Sequence, residues 1–91
     1  MTGAGEWELV LTAPARRALS DRLPEAVVTA VIDFLTSALV WEPRRVGKSL
    51  RGELAGIWSA RRGTYRTLHR IVEQSMIAVL RVEHRRDVYR T

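Results

Sequence analysis

The first quarter of the chain changes from a strand pattern to a helical one. Residues from Trp7 to Thr12 alternate between apolar and polar positions, which predicts a β-strand. Thr12 has the chemistry of an N-cap, and Pro14 is tolerated in the first turn of a helix. The sequence therefore predicts a short helix that begins after Thr12 and runs to about Arg22.

A second helix follows the break at Leu23-Pro24, because proline suits the first turn of a helix and ends the preceding one. Apolar residues then recur at intervals of three and four, which places them on one helical face. They are Val27, Val31, Phe34, Leu35 and Ala38. The pattern predicts a helix of about 16 residues that ends at Trp41-Glu42-Pro43 and turns this stripe toward the core.

The second half of the chain predicts a loop and then a meander. Residues 43–56 contain one proline and three glycines among several basic residues, which indicates an irregular basic loop. Alternating patterns and short turns predict three strands and two turns, namely Ile57–Arg62, Gly63-Thr64, Tyr65–Val72, Glu73–Ser75 and Met76–His84. The last seven residues predict a short helical turn or a tail.

The element order β-α-α-β-β-β predicts an α+β fold. Two antiparallel helices are expected to pack on one face of a small, mainly antiparallel sheet. The other face would then remain open to solvent or to a ligand. Because successive side chains of a β-strand point to opposite faces, Arg66 and Leu68 share one face of their strand, and Tyr65 and Thr67 share the other. This alternation alone leaves open which face meets the helices.

Length and composition exclude several classes of protein. The chain has 91 residues, which predicts one domain spanning 1–91. It contains no cysteine, which excludes disulfides, thiolate catalysis and Cys-ligated metals, and two histidines are too few for a His-rich metal cage. We therefore predict no metal and no cofactor. The N-terminus has no signal-peptide pattern, and the longest apolar stretch is too short to span a bilayer, so a soluble cytoplasmic protein without membrane contact is expected.

The charge is distributed unevenly along the chain. The net charge is +5, and 14 of the 15 basic residues are arginine. Residues 1–42 carry a net −3, whereas residues 43–91 carry +8. Because the planar guanidinium pairs bidentately with phosphate oxygens, this pattern favours a polyanion-binding surface built by the second half.

The predicted meander and tail carry a cluster of arginines that includes Arg61, Arg62, Arg66, Arg70, Arg81, Arg85 and Arg86. If the registers agree, neighbouring strands set Arg61 and Arg81 close to Arg66. Adjacent arginines repel each other unless an anion lies between them, so the cluster predicts an RNA or phosphate site. The alternative is a solvated face on which Glu53, Glu83 and Asp87 pair with the arginines.

Three further side chains bear on catalysis. His84 ends its strand beside Arg85, where an imidazole can act as a general acid or base near neutral pH or simply lie at the surface. His69 lies in mid-strand and is predicted to be structural. Tyr89 can stack on a base or position a phosphate, or it can anchor the tail to the sheet.

Three segments of the second half carry motifs of a known family. They read Glu-Pro-Arg-Arg-Val-Gly-Lys-Ser-Leu-Arg-Gly-Glu-Leu-Ala-Gly at 42–56, Trp-Ser-Ala-Arg-Arg-Gly-Thr-Tyr-Arg at 58–66, and His-Arg-Arg-Asp-Val-Tyr-Arg at 84–90. Together with the order of elements, these segments resemble the RelE toxins of bacterial toxin–antitoxin pairs. The resemblance extends over nearly the whole chain and is most specific from Pro43 to Arg66.

The resemblance implies a function and an assignment of residues. It implies ribosome-dependent cleavage of mRNA in the A site, without a metal, that leaves a 2′,3′-cyclic phosphate. It also implies the ribosome, mRNA and a cognate antitoxin as partners. The positions that match the family's active site are Arg61, Arg66, Arg85 and Tyr89, and His84 falls where several members have His or Lys. The remaining basic residues assigned to RNA binding are Arg44, Arg45, Lys48, Arg51, Arg62, Arg81 and Arg86.

The sequence departs from some members of the family. Where those members carry two lysines on the first meander strand, this chain has Ser59 and Arg61. Glu53 lies near the loop glutamate that some members use as a base. An arginine is a poor base because its pKa lies far above neutral pH, so the arginines are expected to stabilise charge, with His84 as the proton donor.

Two alternative functions remain open from the sequence. One is inhibition of DNA gyrase by a ParE-like toxin, which the combination of arginines, histidine and tyrosine argues against. The other is a non-catalytic RNA-binding module. The product of the reaction distinguishes mRNA cleavage from both alternatives, because only cleavage by the 2′-hydroxyl leaves a cyclic phosphate.

Overall fold

The computed structural model describes residues 7–72 and 76–84. The predicted turn at 73–75 and the predicted tail at 85–91 lie outside the described residues. The elements are β1 (Glu8–Leu11), α1 (Ala13–Arg17), α2 (Glu25–Phe34), β2 (Lys48–Ser49), β3 (Ile57–Arg62), β4 (Tyr65–Val72) and β5 (Met76–His84). β3, β4 and β5 have the predicted bounds, and β1 is one residue shorter at each end than predicted.

Both helices follow the predicted course. The hydroxyl of Thr12 accepts a hydrogen bond from the Ala15 N–H at 3.4 Å, as expected of an N-cap, and it donates to the carbonyl of Leu80 on β5 at 2.7 Å. α1 continues into a π-helical turn at Ala18–Arg22, and α2 continues into another at Leu35–Leu39. Because Thr12 caps α1 and also bonds to β5, the start of the first helix is fixed to the sheet.

The sheet has five strands in the order β1-β5-β4-β3-β2. β1 runs parallel to β5, and the other pairs are antiparallel. The sequence predicts only an irregular loop where β2 lies, and this prediction is wrong for Lys48–Ser49, which pairs with Ser59 and Trp58 on β3. Two residues are too few to produce an alternating pattern, so only the pairing with β3 reveals this strand.

The helices cover one face of the sheet. Tyr65, Thr67 and His69 on β4 are buried, whereas Arg66 between them is only half-buried and Arg70 is exposed. The face that carries Tyr65 therefore meets the helices, and the face that carries Arg66 is open. This resolves the choice between faces that the period leaves undecided.

The core lies between the helices and this covered face. The predicted stripe on α2 is confirmed, because Val31, Phe34 and Leu35 are buried in the core and Val27 and Ala38 pack against it. Their partners in the core include Tyr65, Ile77, Val79 and Val82 on the sheet.

Within residues 7–72 and 76–84, no helix is long and apolar enough to cross a membrane.

A β-bulge on β5 determines which of its side chains reach the open face. His69 pairs with Val79, but Leu68 pairs with Arg81, so Leu80 has no partner on β4. Without this extra residue, strand alternation would place Val79 and Val82 on opposite faces, yet both are buried in the core. The bulge thereby keeps both valines in the core and directs Arg81 and Glu83 to the open face.

Candidate functional site

Basic side chains converge on the open face of β2, β3 and β4. Arg61 on β3 lies directly opposite Arg66 on β4, and Lys48 on β2 lies opposite Ser59. Arg81 pairs with Leu68, which places it diagonally from Arg66 on the same face. The registers thus bring Arg61 and Arg81 close to Arg66, as the sequence predicts.

A concavity of about 420 Å³ opens beside the two opposed arginines. Its lining residues are Val46, Gly47, Lys48, Leu50, Ser59, Arg61 and Arg66. Three cationic side chains and a hydroxyl therefore line a space with an apolar rim. Directly opposed like charges on a sheet are unfavourable unless an anion compensates them, and Glu83 compensates Arg66 only. Lys48 and Arg61 leave this space positively charged, which suits a phosphate group.

Gly47 allows the basic loop to lie close to β3. A Cβ atom at this position would be 3.0 Å from the carbonyl oxygen of Ser59 and 3.4 Å from Cε1 of His69. A side chain here would require the loop or β3 to shift by a few tenths of an ångström, because the near atom at Ser59 belongs to the backbone. The absence of a side chain at Gly47 therefore sets the spacing between the loop and the arginines.

His69 fixes the beginning of the same loop. Its ring is fully buried, stacks on Trp58 with ring centroids 6.3 Å apart, and is hydrogen-bonded through Nε2 to the carbonyl oxygen of Pro43 at 3.1 Å. Burial lowers the pKa of His69, and the hydrogen bond to Pro43 opposes this shift only in part. The ring is therefore neutral at pH 7 and donates from Nε2, which bears out its predicted structural role.

Arg66 is paired with a carboxylate on the neighbouring strand. Oε1 of Glu83 accepts hydrogen bonds from Nε and Nη2 of Arg66 at 3.0 and 2.5 Å. The other carboxylate oxygen, Oε2, lies 3.9 Å from Nη1 of Arg81. The sequence suggests Glu83 only as one of several partners on a solvated face, and the register reveals that it faces Arg66 directly.

Several residues assigned to RNA binding have other contacts. Arg44 stacks over the ring of Trp7 at 5.3 Å, and Arg45 pairs with Glu42 at 3.1 Å. Arg62 lies over the ring of Phe34 at 4.8 Å, on the helix-covered side of the sheet. The structure therefore groups Lys48, Arg61, Arg66 and Arg81, and it places Arg44, Arg45 and Arg62 elsewhere. Arg51 is exposed in the basic loop, just before the 3-10 turn at Gly52–Leu54.

The structure does not bring His84 together with Arg61 and Arg66. His84 pairs with Tyr65, whose ring is buried under α2, so alternation places the imidazole on the helix-covered side. Arg66 and Glu83 are the adjacent pair and point to the other face. Arg85, Arg86 and Tyr89 lie outside the described residues.

Within the described ranges, no three His, Cys, Asp or Glu side chains form a cluster that could hold a metal ion.

Comparison with known proteins gives consistent results. No family model matches the chain. The chain is 54% identical over 80 residues to Toxin RelG of Mycobacterium tuberculosis, covering 87% of this chain and 91% of the relative. It is 36% identical over 85 residues to Toxin RelE of the same organism, covering 92% and 87%. The crystal structure of the toxin–antitoxin complex RelBE2 from M. tuberculosis contains a chain with a TM-score of 0.83 and 48% identity, covering 88% of this chain and 99% of that chain.

The fold, the basic open face and these similarities define a toxin of a toxin–antitoxin pair. At this identity and coverage, the chain belongs to the RelE family of toxins. The predicted membership of the RelE family and the predicted α+β fold are both confirmed by these relatives.

Proposed function

We propose that this toxin is an endoribonuclease that cleaves mRNA in the ribosomal A site. The observation that carries the proposal is the opposition of Arg61 and Arg66 across β3 and β4, beside a concavity on a face that the helices do not cover. The motifs at 42–56 and 58–66 support it, because their resemblance is to toxins with this activity. The ribosome, mRNA and a cognate antitoxin are the proposed partners.

The proposed reaction is an in-line transesterification. The 2′-oxygen of the ribose attacks the adjacent phosphorus and forms a P–O2′ bond, while the bond from phosphorus to the 5′-oxygen breaks. The 2′-hydroxyl loses its proton and the leaving 5′-oxygen gains one, so the products are a 2′,3′-cyclic phosphate and a 5′-hydroxyl. Negative charge builds on the two non-bridging oxygens in the transition state, and this charge is what the protein must stabilise.

Arg66 and Arg61 suit that task. Each guanidinium offers several N–H donors in a fixed plane, and the two lie on adjacent strands whose pairing fixes their spacing. Lys48 adds a third charge at the same concavity. Donors that are already in position lower the barrier, because they need not reorganise as the charge develops.

In this proposal, proton transfer needs a group other than His84. The side chains of His84 and Arg66 lie on opposite faces of the sheet. The predicted role of His84 as the acid therefore has no support from the described geometry. We propose that Arg85 and Tyr89, which match family active-site positions, complete the site. Geometry supplied by the ribosome accounts for the rest, since positioning alone contributes several kcal/mol to such reactions.

The identity of the cleavage product tests this proposal. Purified toxin is incubated with ribosomes programmed with an end-labelled mRNA, and in parallel with the same mRNA alone. We expect cleavage only on ribosomes and a 5′ fragment that ends in a 2′,3′-cyclic phosphate. An intact mRNA combined with inhibition of gyrase supercoiling would replace the proposal with the ParE-like alternative. An intact mRNA with retained RNA binding would replace it with the non-catalytic module.

A further inference from the structure

The pairing of Arg66 with Glu83 divides the donors of the guanidinium between two edges. Oε1 of Glu83 takes one hydrogen from Nε and one from Nη2. An arginine side chain has five N–H donors, so both hydrogens of Nη1 and one hydrogen of Nη2 remain. These three donors form the end of the fork, which is the edge that can hold two oxygens of one phosphate.

Glu83 is itself held in place. It lies directly opposite Arg66 in the register, its side chain is only 24% exposed, and Oε2 has Arg81 at 3.9 Å. The β-bulge at Leu80 is what turns Glu83 to this face. A carboxylate fixed by strand pairing restricts the rotation of the long arginine side chain, which is 38% exposed and would otherwise have considerable rotamer freedom.

We propose that Glu83 is a positioning residue for phosphate binding: it holds the Nε edge of Arg66 so that the Nη edge points to the substrate phosphate. The inference rests on the proposed function and adds to it a residue that the family motifs quoted above do not assign to the active site. The same carboxylate puts a negative charge beside the phosphate. Glu83 therefore weakens binding of RNA in the ground state while it increases the rate of cleavage.

This dual effect predicts that binding and rate change in opposite directions. In Glu83→Gln the negative charge is lost, and ribosomes programmed with an mRNA that carries a 2′-deoxy nucleotide at the cleavage position should bind about two- to fivefold more tightly. Glu83→Ala also removes both acceptor oxygens, so its single-turnover rate should fall about tenfold or more, because Arg66 is no longer held in one orientation. Glu83→Gln keeps an oxygen that accepts from Nε and Nη2, so it should retain more of the rate than Glu83→Ala. Glu25→Gln is the matched control, since Glu25 is exposed at the start of α2 on the covered side, and it should leave the rate unchanged.

A double-mutant cycle tests whether Glu83 acts through Arg66. Glu83→Ala should slow cleavage in the wild-type background and have no further effect in Arg66→Ala. If Glu83→Ala slows both proteins by the same factor, Glu83 acts on the substrate independently and the proposal is wrong. It is also wrong if Glu83→Ala cleaves as fast as the wild type.

A measurement without cleavage separates this proposal from the proposed function. In ¹⁵N-labelled toxin, the Nε–H resonance of Arg66 should be shifted and protected from exchange with water, and Glu83→Ala should abolish both effects without unfolding the protein. If the wild type cuts no mRNA but shows this protection, the proposed function fails and the positioning of Arg66 stands. If the resonance exchanges equally fast in both proteins, the positioning role is refuted whatever the activity.

Discussion

His69 in the middle of β4 is hydrogen-bonded to the carbonyl oxygen of Pro43, which begins the basic loop. The segment between them, residues 44–68, includes β2, β3 and most of the concavity that the arginines line. The buried imidazole therefore fixes the loop to the sheet on the side opposite the proposed phosphate site.

The stability of the toxin should depend on the protonation of His69. Its pKa is lowered by burial, so the folded protein binds a proton there less readily than the unfolded chain does. The neutral, buried ring of His69 contributes its full stabilisation to the folded protein when the pH is above the pKa of histidine in the unfolded chain, about 6.5. This contribution is lost as the pH falls through and below that value. Thermal melts between about pH 7.5 and 5.5 should show a decreasing melting temperature.

Two variants identify the source of that pH dependence. His69→Phe retains an aromatic ring but leaves the Pro43 carbonyl without its donor, which should cost about 1–3 kcal/mol and remove the pH dependence. His84→Ala removes the only other histidine and should keep it. A pH dependence that follows His84 instead of His69 would contradict this account.

Gly47 should not tolerate a side chain. In Gly47→Ala the new Cβ would lie 3.0 Å from the Ser59 carbonyl oxygen, and the loop would have to move away from β3. We expect a loss of about 1–3 kcal/mol in the free energy of unfolding and slower cleavage, because Lys48 shifts with the loop. Ser49→Ala, a small change at the exposed end of β2, is the control. A Gly47→Ala protein as stable and active as the wild type would show that the loop does not need this close approach.

Binding to the ribosome should depend steeply on salt. The open face carries Lys48, Arg61, Arg66 and Arg81, and each phosphate that they neutralise releases counterions. The slope of the logarithm of affinity against the logarithm of salt should decrease by about 1 in Arg61→Ala. Arg16→Ala, which removes the same charge from α1 behind the sheet, should leave the slope unchanged. Affinity that hardly changes between about 50 and 200 mM salt would rule out a phosphate-binding face.

His84 should contribute little to the chemistry. It pairs with Tyr65 on the covered side, so His84→Ala should cleave within about threefold of the wild type and keep its pH profile, whereas loss of a general acid typically costs at least a hundredfold. Single-turnover rates across a pH series measure this directly. A rate reduced a hundredfold with a flattened pH profile would restore His84 as the acid.

Much of the fold could be predicted because its signals are local. β3, β4 and β5 alternate over six to nine residues, and the turn at Gly63-Thr64 has a glycine with a positive φ of 56°. The stripe on α2 is similarly clear. β2 has only two residues and depends on its pairing with β3, so the sequence does not reveal it.

The site was only partly predictable because its geometry depends on pairing between strands. The sequence identifies Arg61, Arg66 and Arg81 as neighbours once three antiparallel strands are assumed. It does not reveal that Leu80 forms a bulge, and this bulge is what turns Glu83 toward Arg66 and His84 away from it. Proximity in sequence to Arg85 suggests His84 as a proton donor. The strand register, however, places the carboxylate of Glu83 beside Arg66 and directs His84 to the opposite face.

The rate of a single round of cleavage by Arg66→Ala tests the central claim most directly. On programmed ribosomes at saturating toxin, we expect this variant to be about 10²–10³ times slower than the wild type, a loss of roughly 3–4 kcal/mol of transition-state stabilisation. Arg66→Lys should recover only part of the rate, because an ammonium retains the charge without the planar fork. Arg16→Ala should cut like the wild type, and thermal melts should show that all three proteins are folded. If Arg66→Ala cleaves within about threefold of the wild type, well short of the loss expected for such a donor, the opposed arginines are not the site of the reaction.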